Sequence, residues 1–235
     1  EDDDLEDHRL WAERLESIGR NPRAPWLSQV DVIGIDGQRD YISDSGTEIW
    51  SILSTNQIEN VILVGVHTNM CVLGRPFGLR RLATAGKNVV LARDLTDTMY
   101  DPRAWPYASH FTGTDLIIDH IERYVCPTIS SNQILGDKEF RFDGDDRLRL
   151  LILVAEDEYE THQTLPLFAA KHLSEHFSVS FAWGSDTDRH QIVGMENLEQ
   201  ADAVLISVRR RALPESHLAA LRKFVATGKP VIGIR

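Results

Sequence analysis

What most restricts the fold of this chain is an alternation of short apolar runs with amphipathic stretches that occurs twice and is interrupted once. The first series comprises "VDVIGID" (Val30 to Asp36), "DSGTEIWSILSTN" (Asp44 to Asn56), "ENVILVGV" (Glu59 to Val66), "NMCVLGRPFGLRRLATAG" (Asn69 to Gly86) and "NVVLARD" (Asn88 to Asp94). By period and punctuation these read strand, helix, strand, helix, strand, with Ser45 or Asp44 as the N-cap of the first helix and Glu48 in its first turn. A further helix, "GTDLIIDHIERYV", follows a Pro-containing loop. The order β-α-β-α-β implies a parallel sheet with helices on its faces.

Between Cys126 and Arg147 the periodicity collapses into "PTISSNQILGDKEFRFDGDD", and the alternation then restarts. "LRLLILVAE", "SVSFAW", "ADAVLISV" and "KPVIGIR" read as strands. "QTLPLFAAKHLSEHF" and "PESHLAALRKFVATG" read as helices, the latter with Pro214 near its start and Gly228 as its C-cap. The expected fold class is therefore α/β, with two three-layer units built on mainly parallel sheets. The expected divisions are an acidic segment 1–28, a first domain 29–136, a linker 137–147 and a second domain 148–235. Within the first segment a short helix is expected around Leu5 to Ile18, followed by a loop punctuated by Gly19, Pro22 and Pro25.

Composition narrows the function classes. A formal net charge of −11 over 235 residues opposes nonspecific nucleic-acid binding, which needs an excess of Lys and Arg. No apolar run approaches the roughly 18 residues of a membrane span. Two cysteines, Cys71 and Cys126, make no disulfide framework and match no zinc-ligand spacing, which favours a reducing, cytoplasmic-type compartment. The opening "EDDDLEDH" has neither the basic segment nor the apolar core of a signal peptide.

"NVILVGVHTNMCVLG" (Asn60 to Gly74) concentrates the chemistry. An apolar strand stops at His67-Thr68-Asn69, and Met70-Cys71-Val72-Leu73 restarts the apolar pattern. Ligands of open parallel sheets sit beyond the carboxyl ends of the strands, where residues 67–71 fall. A thiol in the first turn of a helix meets the positive end of the dipole and unpaired N–H groups, which favour thiolate and a developing oxyanion. The competing reading is a small core residue, since free Cys is among the most buried residue types.

"ILVGVHTNMCVLG" resembles the strand-turn-helix of the isochorismatase-like cysteine hydrolases, a superfamily that includes nicotinamidases and carbamoyl-type amidohydrolases. The resemblance spans about residues 30–125. It implies that Cys71 attacks an amide-type carbon, that the Val66-His67 peptide bond is cis, and that the Met70 and Cys71 N–H groups line an oxyanion hole. It also implies an Asp on an earlier strand and a Lys upstream of the helix before the Cys strand. No such Asp-bearing strand precedes Val30, so the first strand of the domain is expected to lie beyond this chain, and the Lys column falls on Gln38, next to Arg39. Substitute partners for Cys71 are His67 and Asp36, with Arg39 supplying fixed positive charge. Asn69, Asp94, Asp97 and His110 are candidate substrate contacts on the next wall of the crevice, too loosely spaced for a metal.

"LRLLILVAEDEYETHQTLPLFAAKHL" and "ADAVLISVRRRALPESHLAALRKFVATGKPVIGIR" resemble the ThuA-like (trehalose-utilisation) proteins, which share the class I glutamine amidotransferase-like, flavodoxin-like fold. Residues 148–235 carry this likeness, C-terminally truncated, with Arg235 where an amidotransferase has its nucleophile. Glu156, Asp157, Glu158, Tyr159 and His162 gather at a strand end and are candidate ligand contacts or helix-capping groups. Arg209 to Arg211 end another strand on the same side, as an anion site or as partners of the acidic turn. The expected function is hydrolysis of a C–N bond in a small molecule, without cofactor or metal. The alternative is a catalytically inactive small-molecule or carbohydrate-binding protein. The expected partner is the small-molecule substrate, with neither nucleic acid nor membrane, and a homo-oligomer is compatible with the sequence.

Overall fold

A computed structural model describes residues 2–23, 28, 30–105, 107–136 and 138–234. Gln29, at the expected start of the first domain, Pro25 of the expected loop, Asp137 and Arg235 lie outside them. By its contacts the chain divides after Ser43 into Glu1–Ser43 and Asp44–Arg235, and each unit is described by itself.

In the first unit, α1 (Asp2–Ser17) carries Arg9 between Glu6 and Glu13, both at 2.5 Å and at helical spacing. The strand expected at Val30 to Asp36 is absent: these residues form bends and turns, and Val32 is 86% exposed. Local bonds supply the reason. Ile33 N–H donates to the Val30 carbonyl (3.0 Å), and Arg39 and Asp40 N–H both donate to that of Asp36 (2.9 and 2.7 Å). Backbone groups closed in turns are not available to a ladder, and apolar alternation alone does not hold a strand.

The second unit is α/β and holds two sheets. The first lobe runs α2 (Gly46–Thr55), β1 (Asn60–Val66), a π turn (Thr68–Val72), α3 (Leu79–Thr84), β2 (Asn88–Asp97), α4 (His110–Tyr124), β3 (Thr128–Ile129) and α5 (Asn132–Leu135). Its sheet has the order β1-β2-β3, all parallel. The Ser45 hydroxyl caps α2 by accepting from Glu48 N–H. The helix expected over 69–86 is broken between the π turn and α3. Pro76 lacks the N–H that would continue it, and Gly78 lies so close to the preceding turn that a Cβ would meet the Val72 carbonyl oxygen at 2.7 Å. β2 extends three residues beyond its expected end: the register with β1 shifts between Leu63 and Gly65, so that Gly65 pairs with Thr96 and Val66 with Asp97. The polar stretch after Cys126 contributes β3 and α5 to this lobe.

The second lobe runs β4 (Leu148–Ala155), α6 (Thr161–Phe168), a π turn (Ala169–Leu173), β5 (Phe177–Gly184), β6 (Ile192–Val193), a 3-10 turn (Met195–Glu199), β7 (Ala203–Val208), α7 (Glu215–Ala226) and β8 (Val231–Gly233). Its sheet order is β6-β5-β4-β7-β8, parallel except for β6. β4 lies at the centre and is buried on both faces, as its unbroken apolar run demands. Leu151 and Leu153 face one core with Met195, Leu198 and Phe224, and Leu150 and Ile152 face another with Leu165 and Ala169. The first lobe has its own core of Val72, Leu79, Leu91, Ile118, Ile121 and neighbours.

Polar bonds link the lobes. Arg93 donates to the Val179 carbonyl (3.3 Å), Thr112 to that of Ser174 (2.7 Å), and Arg147 reaches Asp115 (2.7 Å) and Asp145 (2.8 Å). Arg93, Asp115, Asp145, Arg147 and Val179 line a cavity of about 70 Å³. Burial raises the Asp115 carboxyl above its ordinary range despite Arg147 and Arg93. Among the described residues no helix is long and apolar enough to cross a membrane.

Candidate functional site

The two cysteines occupy opposite environments. Cys126 is 7% exposed inside the first lobe's core, and burial pushes its thiol up to about 11. Cys71 is half-buried and outside that core, although Val72 and Leu73, which follow it, are both inside. The core reading of a lone cysteine thus describes Cys126. Cys71 sits in the π turn, immediately beyond the carboxyl end of β1. This turn spans five residues before the chain breaks at Pro76, so the positive end of a long helix is not present at the thiol.

Two sets of bonds hold the Cys71 turn against the end of β2. Thr68 and Thr96, both fully buried, have hydroxyls 2.6 Å apart, and Thr96 also bonds the Gly65 carbonyl at 2.8 Å. A hydroxyl has one proton; Thr96 gives its own to Gly65, so Thr68 is the donor between the two threonines. Asn69 then clamps Met99 twice, its amide nitrogen donating to the Met99 carbonyl (3.1 Å) and its amide oxygen accepting Met99 N–H (3.0 Å). Asn69, a candidate substrate contact, spends both ends of its side chain on this clamp.

Asp97 ends β2, paired in register with Val66, one residue before His67. Its Oδ1 lies 2.7 Å from His110 Nε2 and accepts Thr98 N–H at 3.0 Å, while His110 Nδ1 faces the Tyr100 carbonyl oxygen at 3.1 Å. His110 opens α4, which packs on the π turn. Burial would lower the His110 pKa, but the Tyr100 carbonyl and the Asp97 carboxylate raise it on balance above the ordinary histidine value. Thr98 and Thr114, whose hydroxyls are 2.6 Å apart, tie the same segment to α4. Thr96, on β2, and Thr98, one residue beyond its end, are both buried, two threonines that the sequence did not single out as site residues.

Other expectations are met or corrected by the geometry. The Val66-His67 peptide bond is cis. Met70 N–H donates to the His67 carbonyl (3.1 Å), as does Val72 N–H (3.1 Å), so the expected Met70 donor is already engaged within the turn. The Val66 and Met70 side chains are exposed, and that of His67 is half-buried. Asp94 is buried and accepts Ser131 N–H (2.9 Å), the Ser131 hydroxyl and Phe140 N–H (3.0 Å), which makes it the anchor of the segment after β3. In the first unit, Asp36 and Arg39 pair with each other at 3.6 Å, and Asp36 accepts Gln38 N–H at 3.0 Å.

At the end of β4 the acidic turn divides by role. Glu156 is buried and accepts the N–H groups of Glu158 (2.6 Å), Tyr159 (2.8 Å) and Thr161 (2.9 Å) together with the Thr161 hydroxyl (2.6 Å). Burial opposes its charge, but these donors outweigh it and hold its carboxyl at about 2. Glu156 is therefore a helix-capping group. Asp157 pairs with Arg211 (2.9 Å) and Arg189 (3.2 Å), and Glu158 with Arg209 and, at 3.9 Å, Arg210. Tyr159 accepts from Arg209 at 2.9 Å and lies under its guanidinium. His162 is exposed, its Nε2 3.2 Å from the Gln163 amide, and does not join this cluster.

Among the described residues no group of three or more His, Cys, Asp or Glu is placed to hold a metal ion. No protein-family model, no curated protein and no solved structure matches the chain.

Proposed function

We propose that the chain is a cysteine hydrolase of the isochorismatase-like type, fused to a ThuA-like lobe, that cleaves a C–N bond in a small amide without a cofactor. The observation that carries this reading is the placement of Cys71: a half-buried thiol at the carboxyl end of a parallel strand, outside the core, on a turn held to β2 beside the Asp97–His110 pair.

The chemistry is acyl transfer in two halves. Cys71 Sγ, having given its proton to a base, forms a bond to the amide carbon while the carbonyl oxygen takes the negative charge. Collapse of this adduct re-forms the carbonyl and breaks the C–N bond, and the leaving nitrogen takes the proton. Water then adds to the thioester, releasing the acid and returning a proton to sulfur. His67, four residues before the nucleophile, is the proton carrier in the Cys71-bearing lobe; His110, with both ring nitrogens taken by Asp97 and the Tyr100 carbonyl, fixes the chain beyond β2.

The test is ammonia release from a panel of small primary amides and carbamoyl compounds, with the rate of Cys71 alkylation against pH followed by mass spectrometry. Turnover that disappears in Cys71→Ala and persists in Cys126→Ala supports the reading. So does a low apparent thiol pKa that rises in His67→Ala. A thiol that stays inert until unfolding, with no turnover, overturns it and leaves the noncatalytic binding protein.

A further inference from the structure

The second lobe carries its own crevice, independent of Cys71. From β4 the chain crosses to β5 on one side, and β7 then pairs on the other side of β4. The strand order reverses there, and the carboxyl ends of β4 and β7 flank the switch point, where open α/β sheets receive their ligands. A crevice of about 200 Å³ is lined there by Asp157, Glu158, Arg189, Arg209 and Arg210.

Charge tells which ligand suits it. Each of the two carboxylates is shared by two guanidinia, Asp157 by Arg189 and Arg211, and Glu158 by Arg209 and Arg210. Glu156 adds no claim on them, because its oxygens are taken by backbone and Thr161 donors. The four guanidinia thus outnumber these two carboxylates by two, an excess that the ionised Glu156 at the same strand end reduces to one, on a chain whose net charge is −11.

The four arginines are not equivalent. Arg211 is committed, with its side chain 7% exposed and bonds to the Ala155 and Arg189 carbonyls as well as Asp157. Arg209 is held by Glu158 and Tyr159. Arg210 has a left-handed backbone (φ +55°), is 70% exposed and reaches Glu158 only at 3.9 Å. Arg189, 55% exposed, has a single contact to Asp157. Exposed pairs of this kind contribute little, so an incoming anion displaces them at small cost.

We infer that the crevice at the carboxyl ends of β4 and β7 binds a small oxyanion, a phosphate or carboxylate group, through the guanidinia of Arg210 and Arg189. Guanidinia offer paired donors matched to either group. Glu158 and Asp157 act as internal competitors that the ligand replaces.

The experiment is calorimetric titration of the full chain with inorganic phosphate and, separately, succinate, at constant ionic strength. One-site saturable binding is expected. Arg210→Gln and Arg189→Gln should each weaken it by about tenfold, the scale of one charge-assisted contact. Glu158→Gln should strengthen it, because Glu158 competes with the titrant for the guanidinia; unchanged affinity would mark a purely structural ion pair and count against the inference. Cys71→Ala should bind like the parent. Tighter phosphate binding identifies a phosphorylated ligand, and tighter succinate binding a carboxylate. No saturable binding of either anion, or equal affinities across folded arginine variants, overturns the inference.

Discussion

His110 presents both ring nitrogens to acceptors, Nε2 to Asp97 Oδ1 at 2.7 Å and Nδ1 to the Tyr100 carbonyl oxygen at 3.1 Å. A neutral imidazole has one N–H and satisfies one of these; the imidazolium satisfies both. This is why the pKa rises although burial works against it. A raised pKa in the folded state stabilises the fold fully below the ordinary value near 6.5, and the contribution is lost as pH rises through the folded value. In Asp97→Asn the largest charge-based support is gone while burial stays. The His110 resonances should then titrate at lower pH than in the parent by proton–nitrogen correlation spectroscopy, and the stability difference between parent and variant should shrink on going from pH 6 to pH 9.

The Thr68–Thr96 bond should be energetically visible, because both residues are completely buried. Thr96→Val leaves the Thr68 hydroxyl and the Gly65 carbonyl without their partner, a cost of about 1–3 kcal/mol. Thr68→Val removes a donor but leaves Thr96 bonded to Gly65, so it should cost less. The double variant should be more stable than the sum of the two single losses predicts, as a denaturant-unfolding cycle will show. If the Cys71 turn is the reactive site, Thr96→Val should also slow Cys71 alkylation in the native state.

The two thiols should separate cleanly. Cys126 combines burial in the core with a thiol pushed up to about 11, so its thiolate is scarce at neutral pH and inaccessible. Iodoacetamide at pH 7.5 should label Cys71 alone, and Cys126 only after denaturant is added. Equal labelling of both in the native state would contradict the environments described above.

Much of this arrangement was legible before any coordinates. The twofold alternation of apolar runs and amphipathic stretches specified an α/β protein with two mainly parallel sheets, since β1, β2, β4, β5 and β7 were each legible as a short apolar or alternating run. What escaped was decided by tertiary partners. Val30 to Asp36 alternates like a strand but closes turns instead, and β3, two residues long, exists only because Leu91 and Ala92 of β2 offer it a ladder. The break after Cys71 was signalled by Pro76, but the need for Gly78 comes from a close approach that no period reveals. Within the site, Asp97, His110 and Asn69 were named as polar residues near a crevice. Their pairing depends on a register shift in β2 that moves Thr96 and Asp97 beside Gly65 and Val66. Asp94 and Glu156 carry the same charge as true ligand contacts, and only their hydrogen-bond partners reveal them as anchors.

Glu156 gives the last test, because its depressed pKa links the acidic turn to pH. Its carboxylate accepts three backbone N–H groups and one hydroxyl, and these outweigh burial to hold it at about 2 against an ordinary 4.5. A depressed pKa stabilises the fold above the ordinary value, and the contribution is lost as pH falls from about 4.5 to about 2. Glu156→Gln keeps the shape but offers one neutral oxygen where two charged ones stood, and it should cost about 1–3 kcal/mol at neutral pH. Unfolding by urea at pH 7 and at pH 3 will check this: the gap between parent and variant should be smaller at the lower pH. A gap independent of pH would mean that packing, rather than charge, is what Glu156 contributes at the start of α6.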